Sequence, residues 1–360
     1  LVLNDMPVQP FPSPLRYPGG KLKVANYVKL LFVLNDLMDG HYAEPYAGGC
    51  SVALSLLFGQ YASKIFINDI DKDIYDFWFT VLNDPDGLSK KIRDAKLDMD
   101  EWNSQRRFLD NKKDEHSQLE RAFAAFYLNR TNRSGIIRGG VIGGKNQTGK
   151  WKIDARFNKD NLIQRIEKIA RQRDQIEISN LDARIFLRDV VPTMDKRSLT
   201  YLDPPYYDKG QGLYTNAYDH DGHADVADDV AKLKSPWLVS YDNIEKIKEL
   251  YTGHTSIEYN LYHSAANHVA KEEKDTEADA TPSVESEAIF KEPIAEETAV
   301  GEDSPTEHVP KPRRKGKEIM FFSPGLILPE GITDPSAISV KKLHALSKEC
   351  KEMRQLSLMF

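Results

Sequence analysis

Apolar residues in this chain gather in short continuous runs, the pattern of buried strands more than of long amphipathic helices. Lys64 to Asn68, Ile176 to Asp182, Leu199 to Leu202 and Pro236 to Tyr241 each read as a strand, and a shorter one starts at His41. Between them lie helical stretches: Val52 to Phe58, Ile244 to Leu250, and a charged region from Leu88 to Leu128 that carries Trp102, Phe108, Phe123 and Phe126. Ser256 to His263 and Glu318 to Phe322 read as a late antiparallel pair. Strands alternating with helices predict an α/β protein.

Two strand ends carry candidate chemistry. Leu199 to Leu202 runs into Asp203-Pro204-Pro205-Tyr206. Two prolines cannot extend a sheet ladder, so the backbone leaves on a stiff path. That path presents a carboxylate, a carbonyl with no neighbouring N–H, and an aromatic ring, which suits a flat heterocycle bearing an exocyclic amine. Asp-Pro-Pro is also an ordinary strand-exit turn. The second place is the stretch from His41 to Ser51, where Gly48 and Gly49 permit close backbone approach by a ligand. The next strand ends at Asp69, about 20 residues on, where nucleotide-binding α/β folds grip a ribose diol. A helix N-cap is the alternative role for Asp69.

Four blocks carry a resemblance to a known family: Arg16-Tyr-Pro-Gly-Gly-Lys21, Glu44-Pro-Tyr-Ala-Gly-Gly49, Asn68-Asp-Ile-Asp71 and Asp203-Pro-Pro-Tyr206. In this order they resemble the Dam-like D12 class of site-specific DNA adenine-N6 methyltransferases, from about Pro12 to Gly325. Phe126 to Gly135 resembles that family's recognition region. The resemblance implies a Rossmann-like S-adenosylmethionine-dependent methyltransferase sheet with an inserted, mainly helical target-recognition domain. Residues 12–79 and 174–330 would form the catalytic domain, 80–173 the recognition domain, and 331–360 a C-terminal tail or helix. It implies transfer of a methyl group from S-adenosylmethionine to N6 of an adenine flipped out of double-stranded DNA. Asp203 and Pro204 would accept the two N6 hydrogens, and Tyr206 would stack on the ring, a contact worth about 1–3 kcal/mol. Tyr17, Lys21, Glu44, Tyr46, Gly48, Gly49, Asp69, Asp182 and Asp203 would bind the cofactor, with Asp182 accepting its adenine amine.

Charge sharpens the division of the chain. The formal net charge is −6, but Lys271 to His308 holds 13 acidic against 3 basic side chains, so the remainder carries −6 + 10 = +4. This stretch lies in an acidic insertion over 269–315, which lacks any apolar period and reads as a disordered loop of the late hairpin. Arg121 to Gln175 holds 13 Lys/Arg against 4 Asp/Glu, interleaved around 130–152 with Gly, Asn, Ser and Thr. Such a basic, glycine-broken stretch predicts loops that reach DNA, with Arg130, Asn132, Arg133, Arg138 and Lys145 as candidate contacts. Cys50 and Cys350 cannot build a disulfide framework or a zinc site, and no metal is expected. No Pro-Cys pair occurs, which argues against cytosine-C5 chemistry. The sequence lacks a membrane-length apolar run and a signal-peptide layout, so a cytoplasmic, monomeric enzyme is expected, with a cognate restriction endonuclease or defence-system component as a possible partner. The alternatives are an N4-cytosine DNA or RNA amino-methyltransferase and a catalytically silent DNA-binding protein.

Overall fold

The structure, a computed structural model, describes residues 12–17, 19–111, 117–207, 218–262 and 315–357. The acidic insertion, apart from Lys315, and the loop after Tyr207 lie outside the described residues. Seven strands form one sheet: β1 Gly40–Glu44, β2 Ala62–Asn68, β3 Ile176–Ser179, β4 Ser198–Leu202, β5 Trp237–Asp242, β6 Thr255–Tyr262 and β7 Lys315–Phe322. Their order is β3-β2-β1-β4-β5-β7-β6. The first five run parallel, and β7 is antiparallel to both β5 and β6. This is the α/β methyltransferase sheet that the motifs imply, and its switch point lies between β1 and β4. Ligands of open α/β sheets bind at the strand carboxyl ends beside such a point.

Side-chain alternation explains why the sheet has helices on both faces. Tyr42, Ile65, Tyr201, Leu238, Met320 and Phe322 enter one core; Ala43, Phe66, Leu202, Val239, Ile319 and Phe321 enter the other. Successive residues of a strand face opposite ways, so a run apolar at every position must be covered twice. On the first face pack α1 Ala25–Leu34, α2 Ser51–Phe58 and α3 Lys72–Asn83, followed by α4 Pro85–Asp94, α5 Met99–Asp110, α6 Gln118–Thr131 and α7 Lys159–Ala170. Leu88, Trp102, Phe126 and Leu162 belong to the same continuous core as the sheet residues. On the second face lie α8 Ala183–Asp189, α9 His220–Ala231 and α10 Glu245–Leu250. The final helix, α11 Val340–Ser357, packs against α1.

The end of β3 differs from the sequence reading. The strand expected over Ile176 to Asp182 stops at Ser179, because the Asp182 carboxylate accepts from the Arg184 N–H (2.9 Å) and caps α8 instead. Between Arg133 and Phe157 the chain forms loops with one short 3₁₀ turn and a single bridge, Asn132 to Val141. Gly135, Gly143 and Gly144 all take positive φ there, as the glycine-rich composition leads one to expect.

Candidate active site

The site is built where β1, β2 and β4 end. After β1 the backbone turns through Gly48 (φ 45°) and Cys50 (φ 50°) into α2. A Cβ on Gly48 would stand 2.7 Å from the Tyr17 ring, so the ring lies directly on the turn. Buried Trp78 fixes the turn from behind, its indole N–H donating to the Gly48 carbonyl at 2.9 Å. Asp69, just past β2, accepts from the Gly48 and Asp71 N–H groups at 2.8 and 2.9 Å. Burial pushes the Asp69 carboxyl up to about 7, despite those two bonds. Glu44 ends β1 and accepts from the Tyr42 hydroxyl and the Ala53 N–H; burial raises it to about 8. Burial also raises the Cys50 thiol, which makes it a packing residue and not a nucleophile.

Asp203 follows the fully buried β4 and faces the same cleft, with 27% of its side chain exposed. Its Oδ1 accepts from Lys21 Nζ at 2.8 Å and from Ser240 Oγ at 2.9 Å; its Oδ2 makes no hydrogen bond with the described residues. Burial raises the Asp203 carboxyl, Lys21 opposes that, and Glu318 reinforces it. Lys21, from the 3₁₀ turn Lys21–Val24, is buried; desolvation would depress it, but Asp203 and Glu318 prevail and hold it well above the ordinary range.

Tyr17, Lys21, Glu44, Tyr46, Gly49, Asp69, Asp182 and Asp203, drawn from distant parts of the chain, all line this one cleft. Residues 17–267 match the family model of the D12 class N6 adenine-specific DNA methyltransferases. The chain belongs to that family. It is therefore a DNA adenine-N6 methyltransferase, an enzyme that takes DNA as substrate and requires a methyl donor. No curated protein matches the chain. Among the described residues no helix is long and apolar enough to cross a membrane, and no group of three or more His, Cys, Asp or Glu side chains is placed to hold a metal ion.

Tyr206 differs from its expected place. It does not line the cleft and is 8% exposed, because its hydroxyl is held by Glu318 Oε1 and by Lys21 Nζ. Stacking on a flipped base needs more of the ring than this conformation shows.

Among the expected DNA contacts, Asn132 is corrected. It is fully buried, accepting from the Trp102 indole at 2.7 Å and donating to the Ile136 and Ile137 carbonyls, so it shapes the loop from inside. Arg133 and Lys145 are exposed. Exposed Arg138 is paired with Asp73 (2.7 Å) and Asp110 (3.0 Å), and half-buried Arg130 donates to the Arg156 carbonyl at 2.7 Å.

The sequence reading missed Asn129, Ser240 and Glu318. Asn129 is buried at the end of α6; its Oδ1 accepts from the Arg16 N–H, and its Nδ2 donates to the Arg16 and Gly135 carbonyls. That amide ties the first motif to the basic loop. For Glu318 a signal existed, a lone acid opening the otherwise apolar run Ile319 to Phe322.

Proposed function

We propose that this enzyme methylates N6 of an adenine turned out of the duplex at a specific DNA sequence, with S-adenosylmethionine as donor. The observation that carries the reading is the shared cleft, with a free carboxylate oxygen on Asp203 at one end and the glycine turn and Asp69 at the other. The cleft fits the donor: backbone at Gly49, an aromatic wall in Tyr17, and carboxylates at Asp69 and Asp182 for ribose hydroxyls and an exocyclic amine. When bound, S-adenosylmethionine supplies a methyl group already activated on a sulfonium.

The protein's task is then placement of the acceptor. Asp203 Oδ2 and the Pro204 carbonyl accept the two N6 hydrogens. Two acceptors on one side of the nitrogen draw its lone pair out of conjugation and leave it directed across the cleft. Lys21 and Ser240 hold Oδ1, so the carboxylate cannot rotate away.

Residues 80–173 supply the DNA-recognition region in this reading, and 12–79 with 174–330 the catalytic domain. The excess of basic over acidic side chains from Arg121 to Gln175 and the exposure of Arg133, Arg138 and Lys145 support that division.

The test is methyl transfer from labelled S-adenosylmethionine to unmethylated DNA, with nucleoside analysis, for the wild type and Asp203→Ala. N6-methyladenine that disappears in the variant, while donor affinity changes by no more than a few-fold, is the expected result. Methylation surviving in Asp203→Ala, or label appearing in cytosine, overturns the reading. Sequencing the methylated positions on random-sequence duplexes then gives the site.

A further inference from the structure

Glu318 lies on β7, beyond the residues that match the family, and is 1% exposed. Burying a carboxylate costs several kcal/mol unless it is paired and hydrogen-bonded. Here two carboxylates, Glu318 and Asp203, share one buried ammonium, that of Lys21. An apolar residue would fill a purely structural position on this strand at lower cost. The second acid in the cluster therefore calls for a functional account.

Its contacts supply one. Glu318 Oε1 accepts from the Tyr206 hydroxyl, and Oε2 accepts from Tyr259 at 3.2 Å and stands 3.5 Å from Lys21 Nζ. The three N–H directions of Lys21 go to Asp203 at 2.8 Å, Tyr206 at 3.1 Å and the Gly19 carbonyl at 3.2 Å. Across the ladder from Glu318, Asp242 accepts from the Tyr207 N–H at 3.1 Å. Two neighbouring acids thus clamp the two residues that follow the prolines.

We propose that Glu318 is a positioning residue for methyl transfer, holding Lys21 and Tyr206 so that Asp203 Oδ2 and the Pro204 carbonyl stand ready for the adenine amine. The inference rests on the function proposed above and adds to it a residue outside the recognisable motifs. Glu318 acts in two ways. By reach it anchors Tyr206, and with it the Asp-Pro-Pro segment. By charge it competes for Lys21, so the ammonium does not fully neutralise Asp203. The groups facing Asp203 are Lys21, Glu318, Ser240, Tyr201, Tyr206 and, more distantly, Glu44. Burial is the main cause of the raised Asp203 carboxyl, and of these groups Glu318 supplies the negative charge that adds to it.

Charge and reach separate in two variants. Glu318→Gln keeps a hydrogen-bonding side chain of the same length and removes the charge. It is expected to lower kcat by about tenfold or more with KM for donor and DNA nearly unchanged. The acid limb of its kcat profile, read at saturating donor and DNA, should move to lower pH, because the charge that adds to burial in raising Asp203 has gone. Glu318→Asp keeps the charge and draws it back from Tyr206, so kcat should fall while the acid limb stays near its wild-type position. Wild-type kcat and an unmoved acid limb in a folded Glu318→Gln enzyme overturn the proposal, as does a rise in KM alone. If Glu318→Gln does not fold, Tyr259→Phe replaces it: loss of one bond to Oε2 should lower kcat by a smaller factor at constant KM, and unchanged kcat overturns the proposal. Asp203→Ala runs alongside. An Asp203→Ala enzyme that still methylates DNA refutes the reading proposed above, whereas a dead one beside a fully active Glu318→Gln refutes only the role of Glu318.

Discussion

Asp69 binds backbone N–H groups with both oxygens, yet burial lifts its carboxyl to about 7, so donor binding should titrate near neutrality. A ribose diol donates to a carboxylate and gains little from the protonated acid. As pH falls through about 7 the carboxylate is lost, so the Kd for S-adenosylmethionine should rise by about tenfold per pH unit below that point and level off above it. Asp69→Asn should bind weakly with a flat profile. Isothermal titration between pH 5.5 and 8.5 tests this, and an unchanged slope in the variant removes Asp69 from the donor site. Single residues were legible where their chemistry is scarce: the acids at the ends of β2 and β4 and the lysine after two glycines reach one cleft. Asn132 was misread because an amide suits a base edge and a loop's own carbonyls equally well. Only the fold shows which partner it has. Ser240 was hidden for a related reason: its value lies in meeting Asp203 from the neighbouring strand.

At the scale of elements, the glycine turn is the part that tolerates least. Gly48 sits at φ 45°, and its missing Cβ makes room for the Tyr17 ring. Gly48→Ala incurs about 1–2 kcal/mol for the left-handed backbone alone. It also displaces the ring, which lines the cleft. Donor affinity should drop by more than tenfold, with a Tm loss of a few degrees, read by titration and thermal melting. Unaltered affinity would mean that the turn does not carry the donor. Strands β4 and β5 were legible because each is a short, mainly apolar run ended by an acid. The end of β3 was not, since Asp182 continues an acceptable strand pattern and only its bond to Arg184 shows that it caps α8.

For the whole molecule, the late hairpin is paired along the full length of both its strands. β6 and β7 remain paired out to Tyr262 and Lys315. Replacing residues 266–311 with a short Gly/Ser turn should leave kcat within about twofold and bring the net charge from negative to positive. DNA affinity should then strengthen, most clearly at low salt. Methylation assays across a salt series check both parts. The basic excess along Arg121 to Gln175 was legible as a stripe, but the continuity of its helices with the sheet core was not, because packing partners far apart in the chain leave no local pattern. That continuity gives the Asn129 amide a larger meaning. One side chain grips Arg16, whose neighbour Tyr17 covers the glycine turn, and the same side chain grips Gly135 in the basic loop. Whatever free energy passes through it passes equally in both directions. A methyl donor that tightens the hold on DNA through this amide must itself be held more tightly, by the same factor, once DNA has arrived.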